Sequence, residues 1–139
     1  MGFEVVSWYH THRAPGLPPA SPDPEIRPLA RSDLAAAKAL DRTATAEDRA
    51  PLYEAFAGRE AGWALVAEDG TLRAFVQRAP WGGGATIAAD PADALRLLDH
   101  RRRLAGPDGE VKAGVLSENV RGRELLARAG WTEAWTAPR

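Results

Sequence analysis

His10 and His12 stand two residues apart in a β-prone run, GFEVVSWYHTH. A strand places residues i and i+2 on one face, so both imidazoles would point the same way. That arrangement supplies two of the ligands a zinc site needs. The third histidine, His100, is remote in sequence and the chain has no cysteine. The plain reading of the pair is therefore the polar face of an edge strand. Without cysteine there is no disulfide, thiol nucleophile or cysteine-based metal site. Ser7, Ser21, Ser32 and Ser117 lack the G-x-S-x-G setting of a serine nucleophile. Gly82, Gly83 and Gly84 follow Trp81, and three small residues allow a backbone to approach a phosphate. Neither nucleotide-loop glycine pattern is present, so a plain flexible turn is the better reading. Arg101, Arg102 and Arg103 are candidates for a phosphate clamp. Their place at the end of an expected helix also suits the helix dipole alone.

Composition narrows the class. The chain has 139 residues, 45% of them apolar, and a net charge of −1. This suits one domain with a real core and gives no cause to expect nucleic acid or an anionic membrane as partner. No apolar run reaches membrane-spanning length and the first residues do not form a signal peptide, so a cytoplasmic protein is expected. Abundant Ala, Arg, Gly and Pro suggest a GC-rich bacterial source.

The elements that must hold these residues follow in order. A strand is expected from Phe3 to His12, within a segment 1–13. Residues 14–24, APGLPPASPDP, form a proline-rich linker, able to reach across a small domain at roughly 3 Å per residue. Residues 25–29 read as a short strand. Ser32 is the expected cap of a helix to about Leu40, and Pro51 suits the first turn of the next. Strands at 62–67 and 72–78 flank Glu68-Asp69-Gly70, a hairpin signal. A brief strand at 85–89 leads to Asp90, the expected cap of a helix with Asp93 in its first turn and Ala94, Leu97, Leu98 and Leu104 as its apolar positions. Strand 110–116 ends the alternating run Val111, Ala113, Val115. Asn119 then caps a helix with Gly122, Leu125, Leu126 and Ala129 on one face. Gly130 suits its left-handed end, and Trp131 opens a last strand. Trp63, Trp131 and Trp135 are assigned to core, Trp8 and Trp81 to an interface or pocket rim.

The stretch 111–135, VKAGVLSENVRGRELLARAGWTEAW, resembles the C-terminal half of the GNAT family, the GCN5-related N-acetyltransferases. Asn119, Gly130 and Trp131 carry the likeness, and the element order from residue 25 onward is similar to the family's. The resemblance implies an α/β fold, a central mixed sheet flanked by helices, over residues 25–139. It implies acetyl-CoA as cosubstrate and transfer of an acetyl group to a primary amine on a small molecule or peptide. The acyl carbonyl would meet backbone amides at Ile87, Ala88 and Ala89, with Asn119 seating the cosubstrate. The family ends in one more strand, whereas this chain carries a surplus strand at its start. The Phe3 to His12 strand is therefore expected to fill the last slot, within one chain or by exchange in a homodimer.

Two departures point to an alternative, a catalytically inactive GNAT-like domain serving binding or assembly. The family's pyrophosphate loop has glycines and a cation; here the segment is IAADPADALRLL. Pro91 lacks an amide, and Asp90 and Asp93 would repel a phosphate at 4–5 Å by about 1–4 kcal/mol. The family's acidic tyrosine position is Leu126, which cannot transfer a proton. Tyr9 and Tyr53 lie elsewhere. Glu54, Glu60 and Glu68 are candidates for the base on the acceptor side, each with a plain reading as a solvated carboxylate. The opening Gly2-Phe3-Glu4 echoes Gly130-Trp131-Thr132, as the tail of an upstream repeat would.

Overall fold

A computed structural model describes residues 7–80 and 84–138. Its elements, in order, are β1 (Trp8–Pro15), β2 (Ile26–Pro28), α1 (Leu34–Thr45), α2 (Ala50–Phe56), β3 (Gly62–Val66) and β4 (Leu72–Gln77). These are followed by β5 (Thr86–Ala88), α3 (Pro91–Ala105), β6 (Glu110–Leu116), α4 (Val120–Arg128) and β7 (Thr132–Pro138). They form two compact units. One is Ser21–Leu97; the other joins the chain up to Ala20 with Leu98–Arg139.

In the first unit four antiparallel strands lie in the order β2-β3-β4-β5. The β3–β4 hairpin turns at Gly70, where φ is +88°, a conformation that costs glycine nothing. Asp69 steadies the turn by accepting the Thr71 amide at 2.9 Å. Alternation along β4 sends Phe75 into a cluster with Ala37, Tyr53 and Ile87, and Ala74 into another with Leu65 and Leu97. Trp63 packs against the second, as expected. Burial of each large apolar side chain contributes about 1.5–3 kcal/mol.

Helix α1 starts through a 3-10 turn at Arg31–Asp33, and Ser32 makes no capping bond. Asp33 holds the entry instead, because its carboxylate accepts the Ala30 amide at 2.8 Å and both arms of Arg27. The helix also runs beyond the expected end, to Thr45, where Ala46 at φ +57° terminates it. Asp41, 1% exposed, receives the Arg49 guanidinium on both carboxylate oxygens and the Thr45 hydroxyl. This clip ties the end of α1 to the start of α2. Burial alone would raise the Asp41 pKa; the Arg49 fork and the Tyr53 and Thr45 hydroxyls outweigh it and hold the carboxyl below its ordinary value. A depressed folded pKa stabilises the fold above the unfolded value of about 3.9, and the contribution is lost as pH falls through the folded value. Asp41→Asn is expected to cost about 2–3 kcal/mol at pH 7, with the gap to wild type closing below about pH 4 in urea titrations.

The second unit holds a three-stranded sheet in the order β6-β1-β7, with β1 antiparallel to both neighbours. The N-terminal strand thus lies between the last two strands of its own chain. Its end differs from the sequence reading: it runs to Pro15, so Ala14 and Pro15 belong to a strand and not to the linker. Phe3 to Val6 lie outside the described residues. After Pro15 the chain turns onto the end of α3, where Gly16 donates to Gly109 at 2.8 Å and Leu17 to Arg102 at 2.9 Å. A Cβ at Gly16 would stand 1.7 Å from the Gly106 carbonyl oxygen. Backbone must therefore move, and Gly16→Ala is expected to destabilise the protein by more than about 2 kcal/mol, read as a lowered urea midpoint.

Two apolar assignments fail. Leu104 is 60% exposed and Trp135 is 53% exposed, whereas Trp131 is buried. Trp135 sits on β7, an edge strand with an open outer face; Leu104 lies on the solvent side of the last turn of α3. Among the described residues no helix is long and apolar enough to cross a membrane.

Candidate functional site

Strand β5 ends its four-stranded sheet. Phe75 faces Ile87 and Ala74 faces Ala88 in the register, and the Gln77 amide donates to the Ala85 carbonyl. Antiparallel pairs alternate between bonded and non-bonded positions. Gln77–Ala85 is bonded, so Phe75–Ile87 is bonded as well, and the Thr86 and Ala88 amides point to the other edge. The Ile87 side chain is buried in the Phe75 cluster, and Ala88 packs against the Leu65 cluster. Of the three residues expected to meet an acyl carbonyl, Ala88 therefore has an outward amide on a strand anchored from both faces. Ile87 uses its amide in the sheet, and Ala89 follows the strand's end.

The start of α3 offers no comparable donors. Pro91 has no N–H, and Asp90 accepts the Ala92 amide on its side chain at 2.9 Å. The Asp90 carbonyl takes the amides of Asp93 at 3.0 Å and Ala94 at 3.3 Å. The first-turn amides are thus engaged within the helix, and these residues do not fit a pyrophosphate. The electrostatic part of the sequence argument needs correction at Asp93. Its carboxylate is buried and paired with Arg73 at 2.9 Å and Arg96 at 3.7 Å, so it presents no free negative charge. Arg96 also grips Asp23 and Glu25 at 2.8–2.9 Å, which fastens the end of the proline-rich stretch to α3.

In the other unit Asn119 caps α4, its Oδ1 accepting the Gly122 amide at 2.9 Å. A Cβ at Gly122 would come 2.7 Å from Asn119 Nδ2, so the glycine gives the cap its room. Asn119→Ala is expected to cost about 1 kcal/mol in thermal or urea unfolding. Leu126 is buried and apolar, as its sequence implies. Ile87, Ala88 and Ala89 belong to one unit and Asn119 to the other.

The remaining candidates stand in separate settings. Glu54 pairs with Lys38 on the surface, and Glu68 is exposed in the hairpin turn. The Glu60 carbonyl accepts a bond from the buried Gln77 side chain. Arg102 donates to the Pro15 carbonyl at 2.7 Å and covers the Trp131 ring at 5.6 Å, so it ties the end of β1 and the residue before β7 to α3. Gly84 adopts φ +136° and a Cβ there would meet the Gln77 carbonyl at 2.2 Å, which explains that glycine by the turn. Trp81, Gly82 and Gly83 lie outside the described residues. Among the described residues no group of three acidic or histidine side chains could hold a metal. His12 is 4% exposed with Nδ1 unpartnered; His10 Nδ1 bonds Glu133 at 2.9 Å. Sequence spacing does not reveal such ties as those of Asp41 to Arg49, Arg73 to Asp93 and His10 to Glu133. Asp93 and Arg96, like Asp99 and Arg102, stand three apart on one helix and carried a local signal.

Solved structures place this architecture. A Drosophila protein aligns with a TM-score of 0.70 at 17% identity, over 94% of this chain and 48% of that one. An acetyltransferase assigned to the GNAT family from Novosphingobium aromaticivorans gives 0.67 at 16%, over 94% and 61%. A GCN5-related N-acetyltransferase from Sphaerobacter thermophilus gives 0.64 at 20%, over 97% and 51%. The chain has the GNAT fold, and it spans about half to three-fifths of the length of these three solved chains. No protein-family model matches the sequence, and no curated protein matches it.

Proposed function

We propose that the protein transfers an acyl group, acetyl in the first instance, from a coenzyme A thioester to a primary amine. The observation that carries this reading is the outward Ala88 amide on a strand fixed by packing on both faces. A preorganised amide at a strand edge stabilises the negative charge that develops on a carbonyl oxygen under attack. The amine nitrogen forms a bond to the thioester carbon, the carbon–sulfur bond breaks, and the sulfur leaves as a thiolate. The proton lost by nitrogen balances that charge.

The closed first turn of α3 adds a specific expectation. With no free amides for the pyrophosphate there, the nucleotide end contributes little to affinity. Calorimetry should find acetyl-pantetheine binding within about tenfold of acetyl-CoA, a difference of about 1.4 kcal/mol or less. Binding of acetyl-CoA a thousandfold tighter than acetyl-pantetheine would show that another part of the chain holds the phosphates. No binding of either would sink the transferase reading. The engaged helix end and Leu126 would then favour the second reading, an inactive GNAT-fold domain used in binding or assembly.

A further inference from the structure

We propose that the open face of the β6-β1-β7 sheet binds single-stranded nucleic acid, its bases stacking on Tyr9 and Trp135 and its phosphates meeting Arg13 and Lys112. All four residues lie in one unit, and the site is independent of the transfer reaction. Residues directly opposite in an antiparallel pair share a face. Tyr9, Thr11 and Arg13 of β1 therefore share theirs with Gly114 and Lys112 of β6 and with Trp135 of β7. Trp135 and Tyr9 are 53% and 41% exposed, and Arg13, Lys112 and Gly114 are exposed as well. The opposite face carries His12, Ala14 and Val111, all buried. One side of the sheet is thus packed and this side is open among the described residues.

Two cations face each other there. Arg13 and Lys112 are partners in the register, and neither forms an ion pair among the described residues. Strand parity brings them close. The Ser117 amide donates to the Trp8 carbonyl and the Gly16 amide to the Gly109 carbonyl, so even-numbered residues of β1 bond toward β6. Arg13 and Lys112 are then a non-bonded pair, with Cα atoms about 4.5 Å apart and side chains at their nearest. Like charges directly opposite destabilise a sheet. A phosphate between them reverses that effect, since both arms donate to its oxygens. The rings stand beside the cations. An added Cβ at Gly114 would lie 1.8 Å from the Tyr9 phenol oxygen, so the absence of a side chain there lets the Tyr9 ring lie across β6. Tyr9 and Trp135 are diagonal neighbours on adjoining strands, about 7–8 Å apart. Successive bases of an extended strand can each meet one ring at that spacing.

The chemistry selects the occupant. A duplex keeps its bases inside and offers none to rings on a flat face. An acidic peptide would meet the cations and leave the rings without a stacking partner. A free mononucleotide would use one ring of the two. The net charge of −1 supplies no long-range attraction, so the contact is short-range. Glu110, two residues before Lys112 and on the same face, ends the cationic row and limits it to one or two phosphates.

The test uses the full chain and a fluorescently labelled oligothymidylate of about eight nucleotides, read by polarisation at low salt. Binding is expected at a Kd of about 10–100 µM, with log K falling against log salt at a slope of about −1.4 for two neutralised phosphates. Annealing the oligomer to its complement should weaken binding by about tenfold or more. Trp135→Ala and Tyr9→Leu should each lose about 5–100-fold, and Trp135→Phe, which keeps a ring, less than about threefold. Arg13→Gln should reduce the salt slope to about −0.7. Urea midpoints confirm that each variant is folded; Trp135 and Arg13 are exposed, so their variants serve if Tyr9→Leu unfolds. Absence of wild-type binding at about 1 mM protein overturns the proposal. Duplex bound as tightly as the single strand overturns it, as do folded Trp135→Ala and Arg13→Gln that both keep wild-type affinity. A polyglutamate peptide that competes at the oligomer's own affinity overturns it in favour of an acidic protein partner. Thymidine monophosphate that does so overturns it in favour of a free nucleotide.

Discussion

Ala88→Pro is expected to lower acyl transfer by about 10²–10³-fold while the protein stays folded. The expectation follows from the direction of one amide. Bonding of Gln77 to Ala85 and of Phe75 to Ile87 leaves the Ala88 N–H outside the ladder of its sheet. Proline is tolerated on an edge strand where the N–H faces away from the ladder. The substitution therefore deletes a donor without breaking a sheet bond, and loss of one oxyanion donor costs that range of kcat. Ile87→Pro would remove a ladder bond and is expected to unfold the strand. Ala88→Ser retains the amide and should keep activity within a few-fold. Acetyl-CoA affinity and the urea midpoint of Ala88→Pro should both remain near wild type. Wild-type transfer by a folded Ala88→Pro would remove the carrying observation of the proposed function.

The elements legible in the sequence were those whose signals are local. Gly70 after Asp69 marked the hairpin because only a positive φ closes that turn, and the turn adopts it. Asn119 and Gly130 bounded α4 through a cap and a left-handed end, both of which the structure contains. Ser32 misled because serine near a helix start is a common cap, whereas here Asp33, next in sequence, also answers a cation on β2. Trp135 misled because β-propensity does not say which face of an edge strand is covered. The candidate site divides in the same way. The acidic start of α3 was visible, but the pairing of Asp93 with Arg73 depends on a residue of β4 far outside any helical spacing. The His10–Glu133 bond joins the two ends of the chain, and no window of sequence contains both. What was read as a possible metal pair became one ring tied to a carboxylate and one buried ring with Nδ1 unpartnered.

Phe75→Ala should be the most destabilising single change, by about 3–5 kcal/mol. The ring is fully buried and meets Tyr53 edge-on, with centroids 5.2 Å apart at 82°. Its removal leaves a cavity bounded by helix α1, helix α2 and strand β5 at once, through Ala37, Tyr53 and Ile87. Small residues on one side and a ring fixed beside the Asp41–Arg49 clip on the other limit how far the walls can collapse. A domain of this size has about 5–15 kcal/mol in total, so a large part of its margin would be lost. Urea unfolding should show a lower midpoint with little change in slope; Phe75→Leu should lose less than half as much. The consequence for chemistry is separable from stability. Ile87 rests on the same cavity and Ala88 follows it, so a relaxing core displaces the outward amide. An error of about 1 Å in such a donor costs on the order of 100-fold in rate. At a temperature where Phe75→Ala is still folded, kcat should therefore fall far more than the folded fraction does. A fall that only tracks the folded fraction would mean that β5 is held by β4 alone and that the Phe75 cluster contributes stability without positioning the site.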